Sequence, residues 1–124
     1  MASYYTLSVY NETRRLYFAL YNSTRKMPRE GGYAFVVPLM QQVEKIMSAI
    51  AAANDAQVKS TILEPAIETI CAMQVTLRNL YELALITKKG FSNISERTEA
   101  VKRQLKGWSK KYSGEGTGVE PESV

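Results

Sequence analysis

The stretch Ile94–Tyr112, ISERTEAVKRQLKGWSKKY, decides how this chain is read. Val101, Leu105, Trp108 and Tyr112 recur at steps of four, three and four, the spacing that gathers side chains on one face of an α-helix. Opposite that seam stand Lys102, Arg103, Lys106 and Lys110, with Arg97 a turn earlier and Lys111 at the end. Lys102, Lys106 and Lys110 lie four apart, so the spacing predicts one exposed strip of cations. Glu96 and Glu99 fall in the predicted first turn, where they favour the helix dipole. No acid follows them in the helix. Like charges four apart cost about 0.2–0.5 kcal/mol per pair, so folding alone gains nothing from the arrangement. The strip is either a plain solvated face or a surface for a polyanion.

Working outward, three further helical segments precede this one. The first covers about 3–26, with Tyr10, Thr13, Tyr17, Leu20 and Thr24 as its stripe and Leu16, Phe18 and Ala19 widening it. KMPREGG closes it, because Pro28 disfavours helix at Met27 and Gly31-Gly32 permit a turn. The second covers about 34–54, with regular helix expected from near Pro38, since a deeper proline would delete a ladder bond. Leu39, Val43, Ile46, Met47, Ile50 and Ala53 make its apolar stripe. The third covers about 57–89, with Ile62, Ile67, Ile70, Met73, Leu77, Leu80, Ala84 and Ile86 facing the core and Pro65 bending it or marking a late start. Lys88-Lys89-Gly90 reads as its C-terminus, cations on the last carbonyls and glycine as the left-handed cap. Asn93 with Glu96, or Ser95, then caps the fourth helix, about 94–112. Four helices with short links and no strand-like alternation read as an all-α, antiparallel up-down four-helix bundle over residues 1–112.

Composition narrows the chemistry. The 124 residues make one domain's worth of chain, with no histidine and a single cysteine. Without histidine, the commonest general acid–base group, haem ligation and nearly every zinc scheme are gone. Cys71, between Ile70 and Ala72, reads as an inert core residue. No P-loop, dinucleotide fingerprint or nucleophile elbow occurs, so no catalytic residue, metal site or cofactor is expected. The start, MASYYTLSVYNETRR, lacks a basic lead and a long apolar run, and no segment approaches a membrane span. A cytoplasmic protein without membrane contact is expected.

Charge is unevenly placed. The net charge is +4, but residues 113–124, SGEGTGVEPESV, hold Glu115, Glu120 and Glu122 and no base. Residues 1–112 therefore carry all 16 Lys and Arg against the other nine of the 12 acids, a balance of +7. A basic body with a loose acidic tail points to polyanion contact. Arg25, Lys26 and Arg29 form a second cluster, expected to meet Lys88 and Lys89 at one pole, and Arg14-Arg15 a third. No helix-turn-helix, zinc finger or aromatic sheet motif is present, so backbone contact is favoured over base reading. Eight tyrosines exceed the needs of one small core. Tyr4, Tyr5 and Tyr10 read either as a partner interface or as rim packing. Arg78, one turn before Glu82, is either an internal pair or an interface arginine.

These residues carry a resemblance. The tyrosine-rich first helix, the turn MPREGGYAF, the alanine-rich second helix, TLRNLYELALITKKG and the closing VKRQLKGWSKKY follow one another over roughly residues 10 to 112. The chain thereby resembles the four-helix-bundle family that includes the accessory variability determinant proteins of diversity-generating retroelements and the proteins encoded in intervening sequences of bacterial 23S ribosomal RNA genes. The most specific matches are Met27-Pro28-Arg29, Leu77-Arg78, and Leu105, Gly107 and Trp108 followed by bases. The resemblance implies a homo-oligomeric ring, a pentamer, that binds RNA or DNA and associates with a reverse transcriptase. That enzyme copies template RNA with errors at adenines, and catalysis belongs to it. Carried onto this chain, the resemblance makes Arg78 a contact residue and the fourth-helix bases an electropositive lining. It also implies close helix packing at Gly107. The ending KGWSKK favours the retroelement branch. The competing reading is an intervening-sequence-type interaction protein whose basic faces meet an acidic protein and not nucleic acid. Pro65 and the tail have no counterpart in the family pattern.

Overall fold

Among the described residues the apolar periodicity resolves into four α-helices and no strand. The computed structural model describes residues 3–25, 27 and 29–112. Lys26 and the whole 113–124 tail therefore lie outside the described residues, as does the Arg29 side chain.

A short 3-10 turn over Tyr4–Thr6 leads into α1, Ser8–Thr24. Leu7 between them is extended, at φ −71 and ψ 139, so the first helix starts later than residue 3. Helix α1 buries Val9, Thr13, Leu16 and Leu20, while Tyr10 and Tyr17 pack half-buried at the margin of the core. Helix α2 runs Arg29–Asp55 and buries Val36, Leu39, Val43, Ile46, Ile50 and Ala53. Pro38 was expected near its start and instead lies inside it. The ring is on an exposed position, as is Ala34, so the carbonyl that loses its ladder partner is on the solvent side. Pro65 is likewise exposed, at the sixth residue of α3, Ser60–Glu82. Leu63, Ala66, Ile70, Met73, Leu77 and Leu80 form the buried stripe of α3. Cys71 is exposed, against expectation, because the face that turns Ile70 and Met73 inward turns residue 71 outward.

The largest correction falls between α3 and α4. Lys88-Lys89-Gly90 does not end α3; it opens α4, Lys88–Lys111. Helix α3 stops at Glu82 in a paired-hydrogen-bond cap: Leu85 N–H donates to Leu80 O at 2.9 Å and Ala84 N–H to Tyr81 O at 3.0 Å. Ala84 holds the left-handed position of that cap, at φ 60. Thr87 then caps α4, its Oγ1 accepting from Gly90 N–H at 3.0 Å. A Cβ on Gly90 would stand 3.2 Å from that oxygen, so glycine keeps the cap close. Asn93 and Ser95 lie inside the helix and cap nothing, and Ala84 leaves the core for the surface. Ile86 stays buried in the turn.

Helix α4 buries Ile94, Thr98, Val101, Leu105 and Ser109. The two core threonines satisfy themselves: Thr13 donates to Val9 O and Thr98 to Ile94 O, each at 2.7 Å. Helix α1 packs on α2 and α4, and α3 packs on the same two, so the four helices surround one core. No helix among the described residues is long and apolar enough to cross a membrane.

Ala84 pays for its conformation with a Cβ where glycine has none, a strain of about 1 kcal/mol. Ala84→Gly is therefore expected to stabilise the fold by about 0.5–1 kcal/mol in urea denaturation, the reverse of the usual loss for a glycine substitution.

Candidate functional site

The seam of α4 sets its rotation, and that rotation sorts the cations. With Val101 and Leu105 fully buried, Arg103, Lys106 and Lys110 come to the outer surface and Lys111 is half-buried beside them. Arg103 and Lys106 make no ion pair among the described residues. Lys110 and Lys111 lie in the last turn, where they complement the helix dipole.

Lys102 does not join this strip. Its side chain is only 18% exposed and turns toward α3. There its Nζ donates to Gln74 Oε1 at 3.0 Å and lies 3.2 Å from Glu99 Oε2, while Gln74 Nε2 donates to Glu99 at 2.8 Å. The three side chains clasp α3 to α4. Hydrogen bonds from Gln74 and Lys102, with the charges of Lys102 and Arg103, hold the Glu99 carboxyl below the usual glutamate range. The four-residue spacing puts Lys102 in the strip, but the acceptor that draws it inward comes from another helix.

Arg97 also departs from the outer face. It is half-buried on the α1 side, with its Nε out of contact with solvent and without a hydrogen-bond partner among the described residues. It lines a groove of about 610 Å³ between the second half of α1 and the first half of α4, together with Arg15, Phe18, Asn93 and Lys89. Lys88 and Lys89 are exposed, and no acid accompanies them in the first turn of α4. Arg25 is exposed at the end of α1 and does not line the groove.

The proposed interface residues divide in the same way. Arg78 is 62% exposed but pairs internally, Nε to Glu82 Oε2 at 2.9 Å, and lies over Tyr81 and Phe91 at about 6 Å. Such an exposed pair contributes little stability, about 0–1 kcal/mol. Arg15 pairs with Glu12 at 3.1 Å, and Arg14 lies 5.4 Å over the Phe18 ring. Tyr4 packs edge-on against Tyr5 and Tyr10, with ring centroids 5.5 and 5.1 Å apart, and Tyr4 and Tyr5 keep exposed surface. Tyr17 donates to Glu44 at 2.8 Å; that bond, burial and the carboxylate's charge raise its pKa above the ordinary tyrosine range.

Three positions escaped the sequence reading. Lys59 donates to Ala53 O and Ala56 O, both at 2.8 Å, and reaches over the Trp108 and Tyr112 rings at 5.9 and 5.2 Å. It ties the end of α2 to the end of α4, and only a fold brings those groups together. Phe18 and Tyr21 are half exposed on α1, at 50% and 54%, a three-residue step that the helical stripe alone assigns to packing.

Gly107 is the reverse case. It was read as a close-packing glycine, yet it is exposed and a Cβ there would meet nothing within 4 Å. It sits between Arg103 and Lys110 on the outer face, where no neighbouring helix needs the space.

Two measurements check this geometry. Gly107→Ala should raise stability by about 1 kcal/mol, the helix-interior difference between the two residues, where a packing glycine would instead lose stability. Glu99→Gln should lower stability at neutral pH. A depressed carboxyl pKa stabilises the fold above the unfolded value and is lost as pH falls through the folded value. The gap between wild type and Glu99→Gln in thermal melts should therefore narrow below the ordinary glutamate range, about pH 4, and close in stronger acid. Compared with family models, with curated proteins and with solved structures, the chain matches none.

Proposed function

We propose that this chain is an antiparallel up-down bundle acting as a non-catalytic, nucleic-acid-binding accessory subunit of a diversity-generating retroelement reverse transcriptase. On this reading it works in the cytoplasm as a homopentameric ring and holds RNA or DNA by the backbone. It thereby supports mutagenic, template-RNA-dependent cDNA synthesis by its partner. The antiparallel order is supported by pairs that run in opposite senses along α3 and α4: Lys59 with Tyr112, Gln74 with Glu99 and Tyr81 with Phe91. The family part of the reading rests on the sequence resemblance.

One observation carries the binding part. Arg103, Lys106 and Lys110 project from one outer face of α4, beyond the last acid of that helix. That acid, Glu99, is engaged by Gln74 and Lys102. Arg103 and Lys106, held outward with no ion pair among the described residues, cost little to bring against phosphates and release counterions when these arrive. Gly107, in their midst, removes side-chain bulk from the face that a backbone or a second subunit would approach.

Filter or fluorescence binding to single- and double-stranded probes across a salt series tests this. Each phosphate contact on duplex contributes about 0.9 to the slope of log K against log salt. Changing Arg103, Lys106 and Lys110 together to Gln should therefore flatten the slope by roughly 2 to 3 with helicity intact. Lys102→Gln should leave the slope nearly unchanged and lower the melting temperature, because its partners are Gln74 and Glu99. An unaltered slope in the triple variant rejects the surface. Retention of a protein partner after complete nuclease digestion, with no probe binding, points to the acidic-protein reading.

A further inference from the structure

The α1–α4 groove is set apart from the outer strip, on the side of α4 that faces α1, and its lining is unusual in three respects. Among the described residues it is lined by three cations, Arg15, Lys89 and Arg97, and no carboxylate. The Arg15 charge is shared with Glu12, which leaves Lys89 and Arg97 as the cations without a counter-charge among the described residues. Arg97 Nε, moreover, is withdrawn from water with its N–H unused. A buried donor left unsatisfied is costly, the more so on a charged group, and an acceptor bound in the groove removes that cost.

The start of α4 adds to the same demand. Thr87 caps Gly90 N–H, and Phe91 N–H reaches Thr87 O, so the N–H groups of Lys88 and Lys89 have no intrahelical acceptor. The first turn also carries two lysines and no acid, an arrangement that the helix dipole disfavours. An anion beside this turn relieves both. On the groove's α1 wall, Phe18 keeps half its surface exposed with the Arg14 guanidinium over its ring. An exposed aromatic ring beside an anion-demanding pocket is the pairing that nucleotides fit, a base on the ring and a phosphate on the cations. The volume, about 610 Å³, lies within the range of small-molecule sites.

We propose that this groove is a nucleotide site, in which Lys89 and Arg97 hold the phosphate and Phe18 stacks on the base. The ligand is a nucleoside monophosphate unit, free in solution or part of a single strand. The site is independent of the outer strip of Arg103, Lys106 and Lys110, and either can fail without the other.

The test is an NMR titration of the full chain, following the Arg97 Nε–H and Phe18 ring signals. The probes are adenosine monophosphate, adenosine, pyrophosphate and a short single-stranded oligonucleotide. Saturable shifts of both signals with adenosine monophosphate, and none with adenosine at the same concentration, support the site and identify a free nucleotide as sufficient. Shifts of both with the oligonucleotide alone support it with a strand as the source. Lys89→Gln and Arg97→Gln should each weaken binding about tenfold or more, as loss of a charge-assisted bond implies, while Arg103→Gln with Lys106→Gln should not. Lys89 is exposed, so its variant keeps the test intact if Arg97→Gln does not fold. The proposal is overturned if neither nucleotide probe moves these signals, or if a folded Lys89→Gln binds as wild type does. It is also overturned if pyrophosphate moves Arg97 while adenosine monophosphate leaves Phe18 unmoved, which is an anion hole without a base platform.

Discussion

The burial of Ile94, Thr98, Val101 and Leu105 along one side of α4 governs everything that this molecule presents to its surroundings. A helix whose apolar line is pinned has no rotational freedom left, so each remaining side chain has its direction assigned. From that single constraint α4 acquires three chemically different aspects. Toward α3 it offers Lys102, drawn into hydrogen bonds with Gln74 and Glu99. Toward α1 it offers Lys89, Asn93 and Arg97 around a groove. Outward it offers Arg103, Lys106 and Lys110. A rotation of one residue, about 100°, would exchange these roles and bury charges whose desolvation costs several kcal/mol apiece. The seam is therefore held by what it excludes as much as by the apolar surface that it buries.

The α3–α4 turn is the second determinant, because it decides to which helix Lys88 and Lys89 belong. At the end of α3 they would have met a carbonyl-rich, negative terminus and been electrostatically content. At the start of α4 they stand at a positive terminus with no acid beside them. The cap on Ala84 moves them there, since two backbone bonds onto Leu80 and Tyr81 end α3 at Glu82, six positions before Lys88. Basic character at that pole is thus sharpened by the fold and not merely inherited from composition. The same turn supplies Leu85 and Ile86 to the lining of the groove, beside Lys89 at the start of α4.

How much of this could be read from the chain alone depends on whether the determining partner is local. The stripes Leu39, Val43, Ile46, Ile50 and Ala53 of α2 and Ile70, Met73, Leu77 and Leu80 of α3 were legible, because helical periodicity is a property of one segment. Cys71 was misplaced by weighing its apolar neighbours above its angular position. Pro38 was misplaced because a proline's cost depends on whether its face meets solvent, which no local pattern records. The end of α3 was hidden because a left-handed cap is signalled by glycine, and here alanine holds it while a decoy Gly90 follows. Lys102 and Arg97 were assigned to the outer strip from spacing alone; Gln74 and the α1 wall of the groove, which claim them, come from residues more than twenty positions away.

Gly107 joins these levels. An exposed glycine inside a helix gives up about 1 kcal/mol relative to alanine, and within the described chain nothing is received in return. The neighbouring cations repel one another as well, by a few tenths of a kcal/mol per close pair. Both costs fall on one outer patch of one helix. A negatively charged surface against it would neutralise the charges, and the missing Cβ would be the clearance that lets that surface come near the helix backbone. A glycine alone would be compatible with indifference, and a row of bases alone with solubility. Their coincidence on a face that the bundle itself does not use is the feature on which the proposed contact surface rests.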